Sequence, residues 1–140
     1  MVKIKRLQHV SIGIEAGRED EARAFYGDAL GLAEKRRPMG LKDRSLIWYN
    51  IGEDEHEIHL IRTNTAHFGP PREGDHLCIE VDDIDGMRSQ LAQHHVAVRE
   101  TSVIDNRPRL FVDDPFGNSV ELVQVSGRFT PVDEPMPHEE

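Results

Sequence analysis

At 140 residues and a formal net charge of -9, the chain is sized for one domain, which buries about two thirds of the surface its unfolded form exposes. Its single cysteine, Cys78, rules out an internal disulfide, and the acidic balance argues against phosphate backbones and anionic lipid surfaces as partners. The opening MVKIKRLQHVSIGI lacks the apolar run of a signal peptide or membrane span, so the expectation is a cytoplasmic protein that meets small molecules or other proteins.

In chain order, LQHVSIGI (7–14) alternates, with Val10, Ile12 and Ile14 on one face and His9, Ser11 and Gly13 on the other, the pattern of a half-buried strand. From Glu19 the period lengthens. Ala22, Phe25, Tyr26, Ala29 and Leu30 share one helical face, and Gly31 stands where a left-handed stop belongs. Three strands are expected next, around AEKRRPM, SLIWYNIG and EIHLIRT, the last two joined by the polar turn GEDEH. RTNTAHFGPPREGD (62–75) reads as a linker.

The same order then returns. HLCIEV (76–81) alternates like HVSIGI, a helix from Asp83 to His94 puts Ile84, Met87, Leu91 and Ala92 on one face, and strands are expected around VAVRETSV, RPRLFVD and NSVELVQV. Two βαβββ units result, about 6–62 and 75–125, with a linker at 63–74, in a single domain over 1–126; internal repeats of this kind pack on each other. The residues 127–140 carry Pro and acid without periodicity and are expected to form a flexible tail. The fold class is α+β, with the two units forming a curved mixed sheet, a half-barrel, around a cavity.

Superposing the units sets His9 on His76 and IHL (58–60) on VEL (120–122), so His59 matches Glu121. In each of these strands the apolar residues lie opposite the metal-capable side chain, as they must if they pack beneath a helix. His9, His59, His76 and Glu121 therefore share the sheet face away from the helices, where two curved units closing around one axis bring them together. Imidazole nitrogens with one carboxylate suit Zn, Ni, Fe(II), Mn or Co rather than Ca or Mg. The cluster HEIH (56–59) falls short of the helical H-E-x-x-H motif and lies on a strand, so His56 points outward and Glu57 shares the wall with His59. His94 and His95 sit at a helix end.

The ordered pattern QHVSI, ARAFYGDALGL, LIWYNIG, EIHL, HLCIEV and LFVDDPFGNSVEL resembles the vicinal oxygen chelate superfamily, which includes glyoxalase I, extradiol dioxygenases, and fosfomycin and bleomycin resistance proteins. The resemblance spans roughly residues 6–125 and implies metal ligands at His9, His59, His76 and Glu121, a divalent metal cofactor and a homodimer. It implies a metal-dependent lyase, isomerase or dioxygenase that binds a small substrate through vicinal oxygens, with Glu121 as catalytic base. Trp48, Arg109 and Phe111 are the expected substrate contacts and His67 in the linker a further one, while Glu57 and Glu80 either support the ligands, serve as an alternative base or simply line the wet mouth of the cavity. Two positions depart from the best-known members: His59 stands where glyoxalase I carries a carboxylate, and Phe111 where extradiol dioxygenases carry tyrosine. A drug-binding protein of the bleomycin-resistance type, without catalysis, is the alternative.

Overall fold

The computed structural model describes residues 1–41, 46–52, 55–63 and 73–137. His67, most of the linker, part of the GEDEH turn and the last three residues lie outside the described residues.

The first unit runs β1 (His9–Glu15), α1 (Glu19–Ala22), which widens into a π-helical segment (Arg23–Ala29), β2 (Ala33–Lys35), β3 (Leu46–Asn50) and β4 (Glu57–Thr63). The five apolar residues spaced for one helical face are all buried, from Ala22 to Leu30. Leu30 N–H bonds the Phe25 carbonyl at 2.9 Å across the widened turn, and Gly31 has φ +79°, a value that suits glycine because it has no Cβ. The second unit runs β5 (Leu77–Glu80), α2 (Ile84–Gln93), β6 (Arg109–Asp113) and β7 (Ser119–Val123). Asp83 caps α2, its Oδ1 accepting the Gly86 N–H at 2.9 Å.

Pairing repeats between the units. β1 runs parallel to β4 in a sheet of order β1-β4-β3-β2, and β5 runs parallel to β7 in a sheet of order β5-β7-β6. The fold is thus α+β, with two small mixed sheets that do not close into one. The strand expected around residues 96–103 is reduced to a single bridge, Arg99 to Phe111. The Arg109 guanidinium explains part of this, because its Nε donates to the Ser102 carbonyl at 3.2 Å and occupies a group that a longer ladder would use. β2 likewise stops at Lys35, short of Pro38, which has no N–H to give to a ladder.

One core serves both units. Ile14, Tyr26, Tyr49, Ile58 and Leu60 from the first join Leu91, Leu110, Val112, Val120 and Leu122 from the second, all essentially without solvent exposure. Truncating such a residue as Leu91 to Ala costs about 2–5 kcal/mol. Ala92, expected on the buried face of α2, is exposed, since it lies about 100° around the helix from Leu91. Polar bonds tie the units as well: Gln90 Nε2 to the Ala29 carbonyl at 2.8 Å and Asn118 Nδ2 to the Gly13 carbonyl at 3.3 Å. Beyond β7 the chain follows the loop at 105–108, with Ser126 N–H on the Asn106 carbonyl and Arg107 over the Phe129 ring. Among the described residues no helix is long and apolar enough to cross a membrane.

Candidate metal centre

Strand alternation places the polar groups. In β4, Ile58 and Leu60 enter the core while Glu57 and His59 take the other face; in β7, Val120 and Leu122 enter it while Glu121 does not. Register then sets Trp48 of β3 across from His59, and Phe111 of β6 across from Glu121. Each unit therefore carries a histidine and a carboxylate beside an aromatic ring.

In the first unit the rings form a stack. Trp48 lies on His59 with centroids 3.6 Å apart and planes 13° apart, and His9 lies 4.2 Å from His59 at 21°. Glu57 holds this assembly from below. Its Oε1 accepts His59 Nε2 at 2.8 Å and Gln8 Nε2 at 3.3 Å, while Oε2 accepts Lys35 Nζ at 2.6 Å. Burial alone would push the Glu57 carboxyl up, but the hydrogen bonds from Lys35, His59 and Gln8 outweigh it and hold the group at about 2.

In the second unit Glu121, 8% exposed, is the hub. Its Oε1 lies 3.2 Å from both His76 Nε2 and Arg109 Nη1, and its Oε2 accepts the Cys78 thiol at 3.4 Å. Phe111 meets the His76 ring edge to face at 5.0 Å. Arg109 is fixed by Ser102 as well as Glu121, so its expected freedom to meet a substrate anion is largely taken up within the chain. Cys78 is exposed. Two grooves flank His76: one of about 550 Å³ against Arg99, Phe111 and Asp113, the other of about 440 Å³ between β1 and β5 against Val10, Ile12 and Leu77.

Among the described residues no three metal-capable side chains of one chain converge. The four candidates fall into two pairs, His9 with His59 and His76 with Glu121. His56 is exposed at the turn before β4, Glu80 is exposed at the end of β5, and His94 and His95 close α2. Sequence reasoning missed Lys35 and Gln8, the partners of Glu57. Lys35 sits in a three-residue strand, too short for alternation to show which face it takes.

A family model described as the glyoxalase/bleomycin resistance protein/dioxygenase superfamily matches residues 6–122. A crystal structure of a Bacillus anthracis protein assigned to the glyoxalase family is 31% identical, with TM-score 0.77, covering 89% of this chain and 98% of that one. The chain belongs to the glyoxalase/bleomycin resistance protein/dioxygenase superfamily. TnmS3, an antibiotic-binding protein from Streptomyces sp. CB03234, shares this superfamily's fold at 21% identity and TM-score 0.69, covering 90% of this chain and 100% of its own. Lactoylglutathione lyase from Agrobacterium tumefaciens does so at 22% and 0.61, covering 86% and 94%. Curated protein sequences gave no match.

Members of the superfamily often use divalent metals, and the hydrogen bonds around two histidines fit such an ion. His76 Nδ1 lies 2.8 Å from the Gly74 carbonyl, which can only accept, so Nδ1 carries the proton. With Nδ1 so committed, Nε2 faces Glu121 Oε1 at 3.2 Å, and a proton or a cation between the two holds them together. His9 follows the same rule. Gln8 Nε2 donates to the Glu55 carbonyl at 2.8 Å, which orients the amide, so Gln8 Oε1 accepts His9 Nδ1 at 2.6 Å and Nε2 is left as donor atom. A histidine anchored through one nitrogen to an oxygen and free at the other is the usual arrangement of a metal ligand.

Proposed function

We propose that the chain is a metal-dependent glyoxalase-like enzyme that binds a small substrate through two neighbouring oxygens. The observation that carries the reading is the His76–Glu121 pair, an imidazole Nε2 3.2 Å from a carboxylate oxygen, with its pseudo-equivalent His9 anchored through Nδ1 in the same way. His9 Nε2, His76 Nε2 and a Glu121 oxygen would hold the ion, with His59 at the position of a fourth donor; two imidazoles and a carboxylate suit Zn, Ni, Fe(II), Mn or Co. Such an ion, when bound, stabilises the negative charge that develops on an enolate or alkoxide oxygen of the substrate.

The chain's own groups supply the rest. Glu121 Oε2, whose partner among the described residues is the weakly bonding thiol of Cys78, is the oxygen best placed to take a proton. Trp48 and Phe111 offer apolar walls, and Arg109 fixes Glu121. Because His9 and His59 lie on one sheet and His76 and Glu121 on the other, the site is completed in a homodimer, the first unit of one subunit facing the second unit of its partner.

A second reading, a non-catalytic binding protein for small molecules, draws on the Trp48–His59–His9 stack, a flat aromatic surface suited to a planar ligand. Metal analysis separates the two. The enzyme reading expects chelated protein to take up one Ni, Zn or Fe(II) per site; no uptake of any of them sinks it. Oxygen consumption on catechols under Fe(II), set against hemithioacetal turnover under Ni or Zn, then divides dioxygenase from lyase.

A further inference from the structure

His59 occupies a ligand position in sequence, yet everything around its ring ties it elsewhere. Resting on the metal-centre reading above, we infer that His59 does not coordinate the ion but positions His9, as one arm of a cradle hung from Glu57.

The geometry of the stack is the first ground. An imidazole holds a metal along a nitrogen lone pair, in the plane of its own ring. The His9 and His59 rings lie face to face, centroids 4.2 Å apart and planes 21° apart, so their planes do not meet at a point within bonding distance of both. Trp48 covers the other face of His59 at 3.6 Å. Turning His59 toward an ion held by His9 would break both stacks at once.

Hydrogen bonding is the second ground. His59 Nε2 donates to Glu57 Oε1 at 2.8 Å, and that carboxylate is itself fixed by Lys35 Nζ at 2.6 Å. The same Glu57 oxygen accepts Gln8 Nε2, and Gln8 Oε1 accepts His9 Nδ1. His9 is thus held at its edge by Gln8 and on its face by His59, and both supports end on one buried carboxylate. The ion would be left with His9, His76 and Glu121, two imidazoles and one carboxylate.

His59→Phe keeps a flat ring for the stack and removes both nitrogens. With Co(II) as probe and a competing chelator, it should bind within about tenfold of the native chain, the low end of what a supporting residue costs. His59→Ala, which loses the stack, should fall by about 10–100-fold, and the Phe variant should recover most of that loss. His9→Phe should lose Co(II) binding altogether. An equal loss from His59→Phe and His9→Phe overturns the inference while leaving the metal reading intact; no Co(II) uptake by the native chain overturns both. Proton NMR of the Co(II)-loaded native chain needs no variant: two imidazole N–H signals with through-bond contact shifts, from His9 and His76, are expected, the His59 N–H moving only through space; three contact-shifted signals overturn the inference.

Discussion

The Tyr26 hydroxyl donates a 2.6 Å hydrogen bond to Asp114 Oδ2, joining the helix of the first unit to the turn that leads into the last strand of the second. Both residues are buried, and Asp114 also accepts the backbone N–H groups of Phe116 and Asn118 and the Asn118 side-chain amide. The turn DPFGN is therefore a docking point between units as well as a bend, with Gly117 at φ +87° closing it.

Tyr26→Phe should lower stability by about 1.5–3 kcal/mol, the range for a lost bond to a charged group, measured by urea unfolding at neutral pH. It should also change the alkaline limb. Burial, and then the Asp114 charge, push the Tyr26 hydroxyl well above its ordinary value of 10.0. A group whose pKa is raised by folding stabilises fully below its unfolded value and loses that contribution as pH climbs past it. Above pH 10, stability of the native chain should therefore fall with pH, and Tyr26→Phe should lessen that slope by about 1.4 kcal/mol per pH unit. The remaining slope comes from Tyr49 and the Cys78 thiol, each of which burial pushes up to about 12.

Arg109→Met tests the counter-ion on Glu121. The guanidinium nitrogen lies 3.2 Å from the oxygen that a metal ion would use, so it repels an incoming cation and competes for its ligand. Removing one positive charge a few ångströms from a divalent ion should tighten metal binding about tenfold, read by chelator competition. Unfolding of the metal-free variant should come earlier, since Glu121 is then left without that partner. Weaker metal binding in Arg109→Met would place the guanidinium in support of the centre instead.

How much of this was legible follows from the range of each signal. Strand alternation and helical spacing are local, and they located β1, β4, β5, β7 and both helices together with the faces of His9, His59 and Glu121. The two-unit repeat added pairing, because the same residue types recur at matching positions. Tyr26 and Asp114 are separated by 88 residues, and nothing in either segment alone marks the contact. Lys35 sits in a segment too short to show a period, and alternation puts Gln8 on the face of Val10 rather than that of His9, so the support of Glu57 was invisible. The strand expected at 96–103 has a suitable pattern, but the Arg109 side chain takes the Ser102 carbonyl, a tertiary contact that overrides local preference.

His56 and His59 make a direct comparison, three residues apart, one at the turn before β4 and the other within it. His56 is exposed, and its backbone carbonyl, rather than its ring, accepts the Ile51 N–H at 2.7 Å. His56→Ala should leave both stability and metal affinity within the scatter of a surface substitution, about 0.5 kcal/mol. His59→Ala should lower both, because it opens a gap between Trp48 and His9 and leaves Glu57 short of one donor. Thermal melts with and without added Co(II) measure the two effects together. Equal behaviour of the two variants would mean that the stack contributes nothing to holding His9.

A site divided between subunits, as proposed, makes a prediction that single substitutions cannot reach. In a dimer whose sites each join the first unit of one subunit to the second unit of its partner, His9→Ala and Glu121→Ala each break both sites when every subunit carries the change. Mixing the two variants under conditions that exchange subunits yields hybrids in which both lesions fall in one site, and the other site has a native His9 and a native Glu121. Hybrids should therefore regain one Co(II) per dimer, while neither parent binds any. If each site lay within one chain, every site of the hybrid would carry a lesion and no metal would return. The same mixture also tests for a dimer at all, since a monomeric chain cannot complement.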